Sequence, residues 1–254
     1  MSASGGSRVD LHVKILDDAV VRRAKAAGLD VLVYAPHFTH LETVRERAAR
    51  YSDDDLLVVP ARECFTGPWH DRRHVLAVDP DAPVPDFIPL SDTMDELDRQ
   101  DAAVLAPHPA FLSVSLSGAD VAAYRDVVDA VETFCPKHWW WHNRRARGIA
   151  DEAGLPRYTS SYAHLRPTVG TAWVTFDEPV STAAELTDAI ERGAPRELHH
   201  ERGPSALLKY KTEFAHLGWE NSWDKFERVV LSGRAATHPL DPRYDGRFEE
   251  LSVY

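Results

Sequence analysis

His12, His37, Glu63, His74, His108 and His164 share one kind of place in this chain: each stands in, or just beside, a short apolar or extended run. His12 lies within Val9 to Val13, His37 beyond Asp30 to Ala35, and Glu63 beyond Leu56 to Ala61. His74 opens His74 to Val78, His108 follows Ala102 to Ala106, and His164 follows Arg157 to Ser161. Neutral imidazoles and a carboxylate are donors that zinc, manganese and iron accept. Such ions turn water into hydroxide near neutral pH and shield charge on phosphate oxygens, chemistry that phosphate-ester hydrolysis needs. Taken singly, each histidine is more often a surface or hydrogen-bonded structural residue than a ligand, and Glu63 reads as well as a solvated loop carboxylate. The repeated placement argues for one site. His40, His70, His199, His200, His216 and His238 are read as structural.

A common site requires elements that bring distant residues together. Val9, Leu11 and Val13 alternate with polar residues as in a strand, and Asp17 or Asp18 can cap a helix that stops at Gly28. Further strands are expected over 30–35, 56–61, 74–78, 102–106 and 130–134, and helices over 41–50, 90–99, 119–128, 143–153 and 182–193. Short apolar strands alternating with helices predict a mainly parallel sheet, closed as a barrel or open. In a barrel the strand C-terminal ends converge on one face, which would gather these side chains. Residues 79–89 read as a proline-rich surface connection. Residues 194–254 carry no assignable motif and are expected to pack as helices on the barrel rather than fold as an independent domain.

The chain has 254 residues, 44% of them hydrophobic, with a formal net charge of −11. That balance argues against a surface that coats nucleic acid, although a small basic groove near Arg144 to Arg147 stays open. Cys64 and Cys135 are too few for a disulfide framework. Residues 1–7 lack the apolar core of a signal peptide, and no run is long enough to cross a bilayer. A cytoplasmic location is expected; oligomeric state is not legible.

The order of these motifs resembles the polymerase and histidinol phosphatase (PHP) superfamily of metal-dependent phosphoesterases, from Val9 to about Gly193. Asp10-Leu11-His12-Val13-Lys14 is similar to the opening D-L-H-x-H, Ala35-Pro36-His37 to a strand ending in T-D-H, and Pro60-Ala61-Arg62-Glu63 to G-x-E. His74-Val75-Leu76 resembles the next histidine-bearing strand, and Ala106-Pro107-His108-Pro109 the a-H-P segment. Val131-Glu132 with Asn143 resembles v-E-x-x-N, and Ser160-Ser161-Tyr162-Ala163-His164 the terminal S-D-A-H. The resemblance implies an α/β fold, a distorted (β/α)7 TIM-like barrel with a C-terminal helical extension. It also implies hydrolysis of a small phosphate ester or nucleotide through a metal-bound hydroxide.

Two positions depart from the pattern: Lys14 replaces the second histidine of H-x-H, and Tyr162 the aspartate of S-D-A-H. In the family both serve one metal. Glu63, His74 and His108 would hold a second, and His37 and His164 would contribute to a third, with His12 completing ligation. The expectation is therefore one or two divalent ions, zinc, manganese or iron, rather than three. His12 and Lys14 are the expected catalytic pair, and Lys14, Tyr162 and Arg144 the expected substrate contacts. An ammonium at Lys14 could stand in a cation's place beside Glu63 and offer donors to phosphate. The competing reading is a degenerate barrel that binds or scaffolds without catalysis. The run Trp139-Trp140-Trp141 could stack a ring, or pack against a helix or partner. Neither a phosphate-cradling G-x-x-x-x-G-K-[ST] loop nor a G-x-S-x-G elbow is present.

Overall fold

The computed structural model describes residues 5–68, 71–111, 114–226 and 235–253, the side chains of 219–226 excepted. Nine strands form one sheet: β1 (Arg8–Val13), β2 (Val31–Tyr34), β3 (Leu57–Thr66), β4 (Arg73–Val78), β5 (Ala103–Ala106), β6 (Ala130–Phe134), β7 (Arg157–Thr159), β8 (Ala172–Phe176) and β9 (Arg196–His200). The order across the sheet is β7-β6-β5-β4-β3-β2-β1-β8-β9. Beyond β7, Ala163 bridges back to Val13, and the Lys14 amide donates to the Ala163 carbonyl at 2.8 Å. The sheet is thereby nearly closed into a TIM-like barrel.

Among the described residues seven α-helices cover it: α1 (Asp18–Ala26), α2 (Leu41–Tyr51), α3 (Leu90–Arg99), α4 (Gly118–Ala123), α5 (Trp140–Ala153), α6 (Ala183–Glu191) and α7 (Pro204–Phe226). Local chemistry sets several ends. The Asp17 carboxylate accepts the amides of Ala19 and Val20, both at 2.9 Å, and starts α1. Capping boxes open α4 (Ser117 with Asp120) and α6 (Thr182 with Glu185), and Gly154 ends α5 in the left-handed region. No helix among the described residues is long and apolar enough to cross a membrane.

The sheet is less parallel than the strand–helix alternation predicts. β1–β2, β2–β3, β5–β6 and β6–β7 pair parallel, but β4 runs antiparallel to both β3 and β5, and β8 antiparallel to β1 and β9. For β3 and β4 the reason is connectivity: six residues separate Thr66 from Arg73, too few for the crossover a parallel pair needs. Residues 194–254 are not wholly helical either, because β9 adds an edge strand before α7. The rest of this segment packs down: Tyr244 and Phe248 enter a core with Val75, Met94 and Leu97, and the Val253 amide donates to the Phe87 carbonyl at 3.0 Å.

Gly170 shows how tightly β1 and β8 are tied. Its φ is +71°, a Cβ there would lie 2.8 Å from the Ala27 Cβ, and its amide donates to the buried Asp10 carboxylate at 3.0 Å. Gly170→Ala should therefore lower unfolding free energy by about 1–3 kcal/mol in urea titrations. A loss below about 0.5 kcal/mol would show that the backbone relaxes freely here.

Candidate metal centre

Strand periodicity carries the candidate residues to one mouth. Val31, Val33 and Ala35 belong to the barrel's inner cluster, and one further step of two along the chain is His37. Val59 and Ala61 lead to Glu63 in the same way, and Ala130 leads to Glu132. In β4 the inner residues are Leu76 and Val78, and because this strand is antiparallel, the step back reaches His74 at the same mouth. In β1 the pairing with β2 shifts register between Asp10 and Val13, a local irregularity that re-aims His12 and Lys14.

Glu63 sits at the centre with no exposed surface. Its Oε1 is 3.0 Å from His108 Nε2 and 3.3 Å from His74 Nδ1. Its Oε2 is 2.5 Å from Lys14 Nζ, 3.2 Å from His37 Nδ1 and 3.8 Å from His12 Nε2. His164 reaches the group through His37, their Nε2 atoms 3.4 Å apart. Burial holds His12, His37 and His74 below their ordinary pKa and His164 down to about 3, so all four rings are neutral donors. Burial works against ionised Glu63, but the Lys14 ammonium beside it holds its carboxyl well below the usual range. Burial pulls Lys14 down to about 8 against the pull of Glu63, and its ammonium also donates to the Ala35 carbonyl at 2.6 Å.

The residues fit a cation on two grounds. Ser115 Oγ donates its single proton to the Phe111 carbonyl at 3.0 Å and therefore accepts from His108 Nδ1 at 2.9 Å. His108 Nε2 then carries a lone pair, and it faces a carboxylate oxygen at 3.0 Å, two acceptors that repel unless a cation lies between them. Donors sharing a tetrahedral zinc at about 2.1 Å lie about 3.4 Å apart, close to the spacings of Glu63, His74 and His108. Among the described residues these three offer ligand atoms all within 4.8 Å of one another. In addition, both ring nitrogens of His12 and of His74, and Nδ1 of His37, are buried without a hydrogen bond of acceptable geometry. Each such atom costs about 1–3 kcal/mol unless a ligand satisfies it.

Surrounding groups hold this arrangement. His108 has φ +36°, and its amide is gripped by Glu132 Oε2 at 2.8 Å, while Ser160 Oγ donates to the other oxygen at 2.6 Å. Asp10, pushed up to about 6 by burial, accepts the Ser161 amide at 2.9 Å. Phe38 and Tyr162 also have positive φ, +47° and +48°, so strained backbone stands at three positions of the mouth. The Tyr162 ring lies 4.6 Å from that of His12 and 5.0 Å from that of His108, roofing the cluster. Arg144 does not join: it is exposed on α5 and, among the described residues, has no hydrogen bond to the cluster. His70 lies outside the described residues.

Two further residues reach the site without a sequence signal. Lys137 Nζ lies 2.9 Å from His164 Nδ1, 3.3 Å from Glu213 Oε1 and 3.9 Å from the Tyr162 ring centre, and donates to the Tyr162 carbonyl. Glu213, from α7, accepts the His164 amide and the Thr168 hydroxyl, the latter at 2.6 Å. The C-terminal segment thus supplies a buried carboxylate that fixes His164.

A PHP-associated family model matches residues 140–195, from the start of α5 past α6. No curated protein sequence matches the chain. The fold is similar to PsfC from Pseudomonas syringae PB-5123, with a TM-score of 0.66 and 17% identity over 84% of this chain and 99% of that one. It is also similar to an amidohydrolase from Chromobacterium violaceum, solved with bound sulfate and no metal, with a TM-score of 0.53 and 12% identity over 76% of this chain and 97% of that one. The segment that this family model matches is built into the nearly closed TIM-like barrel, as α5, β7, β8 and α6.

Proposed function

We propose that this protein is a metal-dependent phosphoesterase acting on a small phosphate ester. The observation that supports it most is the pair of facing acceptors, His108 Nε2 and Glu63 Oε1 at 3.0 Å, with His74 beside them. Glu63, His74 and His108 would hold one divalent ion of the zinc, manganese or iron type, and His12, His37 and His164 are the further donors. A bound ion of that kind makes water nucleophilic near neutral pH and offsets charge on phosphate. Lys14 presents an ammonium at the same carboxylate and would bind a phosphate oxygen. Tyr162 covers the opposite side and limits the space left for water. Residues 194–254 are read as an extension packed on the barrel, since Glu213 completes the site. The net charge of −11 favours a small phosphorylated substrate over nucleic acid, and two free, buried cysteines suit a reducing cytoplasm.

Lys14 itself favours a second reading, a barrel that binds an ion or ligand without turnover, because its ammonium already neutralises Glu63 at 2.5 Å. Metal analysis and kinetics separate the two. Protein loaded with manganese, zinc or iron should hydrolyse 4-nitrophenyl phosphate between pH 6 and 9 and lose that activity on chelation. Stoichiometric metal with no turnover would favour the second reading, and protein that takes up no metal would remove the first and favour the second.

A further inference from the structure

Beside the metal centre, a cavity of about 300 Å³ opens between the turn 136–139 and the first half of α7. We propose that it receives a flat, apolar substrate body, which makes the substrate an aryl phosphate monoester; this rests on the phosphoesterase reading above. Pro136, Trp139, Leu207 and Phe214 form apolar walls, and Lys211 is its exposed cationic group, the buried Lys137 ammonium being paired with Glu213 at 3.3 Å. Trp139, Leu207 and Phe214 are 55%, 53% and 44% exposed, unusual for large apolar side chains unless they border a binding site. The volume lies at the lower end of the small-molecule range of about 300–1,000 Å³, enough for one or two rings. No carboxylate lines the cavity among the described residues, so its charge complements an anion with an apolar body.

Two lining residues connect the cavity to the metal centre. Lys137 Nζ is 2.9 Å from His164 Nδ1, and the His138 ring is 6.2 Å from that of His108. The cavity therefore adjoins the metal centre across Lys137 and His138, and a ring held against Trp139 and Phe214 lies beside it. A nucleobase is disfavoured because its edges need matched donors and acceptors. Here the Lys211 ammonium only donates, the Tyr210 hydroxyl is already committed to the Glu201 carbonyl at 2.9 Å, and among the described side chains the His138 ring alone offers a free acceptor.

Phosphonates test this without depending on turnover. The full, metal-loaded chain is titrated with 1-naphthylphosphonate, methylphosphonate and AMP by calorimetry. The naphthyl compound should bind at least tenfold more tightly than the methyl compound, and more tightly than AMP. Leu207→Asp, a change at an exposed position, should bring the naphthyl-to-methyl ratio close to one, and Trp139→Ala should lower it by several-fold. Equal affinities in the parent chain, preference for AMP, or a ratio unaffected by both variants would overturn the proposal. A dimer that Leu207→Asp dissociates would assign the face to a second copy and also overturn it. Naphthyl selectivity in a chain that hydrolyses no ester would leave the cavity assignment standing and remove the phosphoesterase reading alone.

Discussion

Glu63→Gln should be the most damaging single change in this chain, and its cost should depend on Lys14. The glutamate is fully buried and compensates an ammonium 2.5 Å away that is itself almost inaccessible. Removing one partner of such a pair typically costs about 3–5 kcal/mol. The sign with pH follows. Burial lowers Lys14 to about 8 in the folded chain, so folding releases its proton between that value and the unfolded one, and stability rises with pH across this window. Without Glu63 the folded pKa falls further, so the penalty is greatest near pH 7 and shrinks towards pH 10. Urea titrations of chelator-treated protein at the two pH values measure it. The double variant Lys14→Met with Glu63→Gln should recover at least about 2 kcal/mol, because no uncompensated charge remains. In metal-loaded protein, Glu63→Gln should weaken ion affinity by at least about 100-fold, more than loss of an outer partner does. A variant with unchanged stability and unchanged metal content would remove Glu63 from the centre of the site.

Much of this arrangement is legible in the sequence, because a strand's period of two continues past its end. Val31, Val33 and Ala35 already aim His37, and Val59 and Ala61 already aim Glu63. His74 is different. It stands at the start of its strand, where a parallel sheet would put it at the opposite mouth from Glu63. Periodicity carries no information on strand direction, and only the antiparallel pairing of Phe65 with His74 brings it to the right end. β9 is illegible for another reason: Arg196 to His200 reads R-E-L-H-H, an edge strand with no residue fully buried and hence no apolar alternation. Glu213 gives no signal at all, since a carboxylate in a charged helix looks solvated until the chain folds His164 and Lys137 against it. Lys14 and Tyr162 are visible only as departures from a family pattern, and the geometry gives the first of them a physical meaning.

That meaning leads to the second large effect: Lys14→His should add one bound divalent ion per chain. The Lys14 ammonium stands 2.5 Å from Glu63 Oε2, and His37 Nδ1 and His12 Nε2 lie 3.2 and 3.8 Å from the same oxygen. This is a carboxylate oxygen and two neutral imidazole nitrogens gathered around a positive charge supplied by the chain itself. Histidine at 14 withdraws that charge and offers a lone pair, so the charge must come from solution. Metal analysis after gel filtration should then find one more equivalent of manganese or zinc than in the parent chain. Metal should also stabilise the variant further, by about 2.7 kcal/mol at a free ion concentration of 100 times Kd for the added site. Lys14→Met is the control: it removes the ammonium without supplying a donor and should leave the count unchanged. If Lys14→His and Lys14→Met bind the same number of ions, Lys14 does not occupy a cation's place, and its proximity to Glu63 is an ordinary buried ion pair.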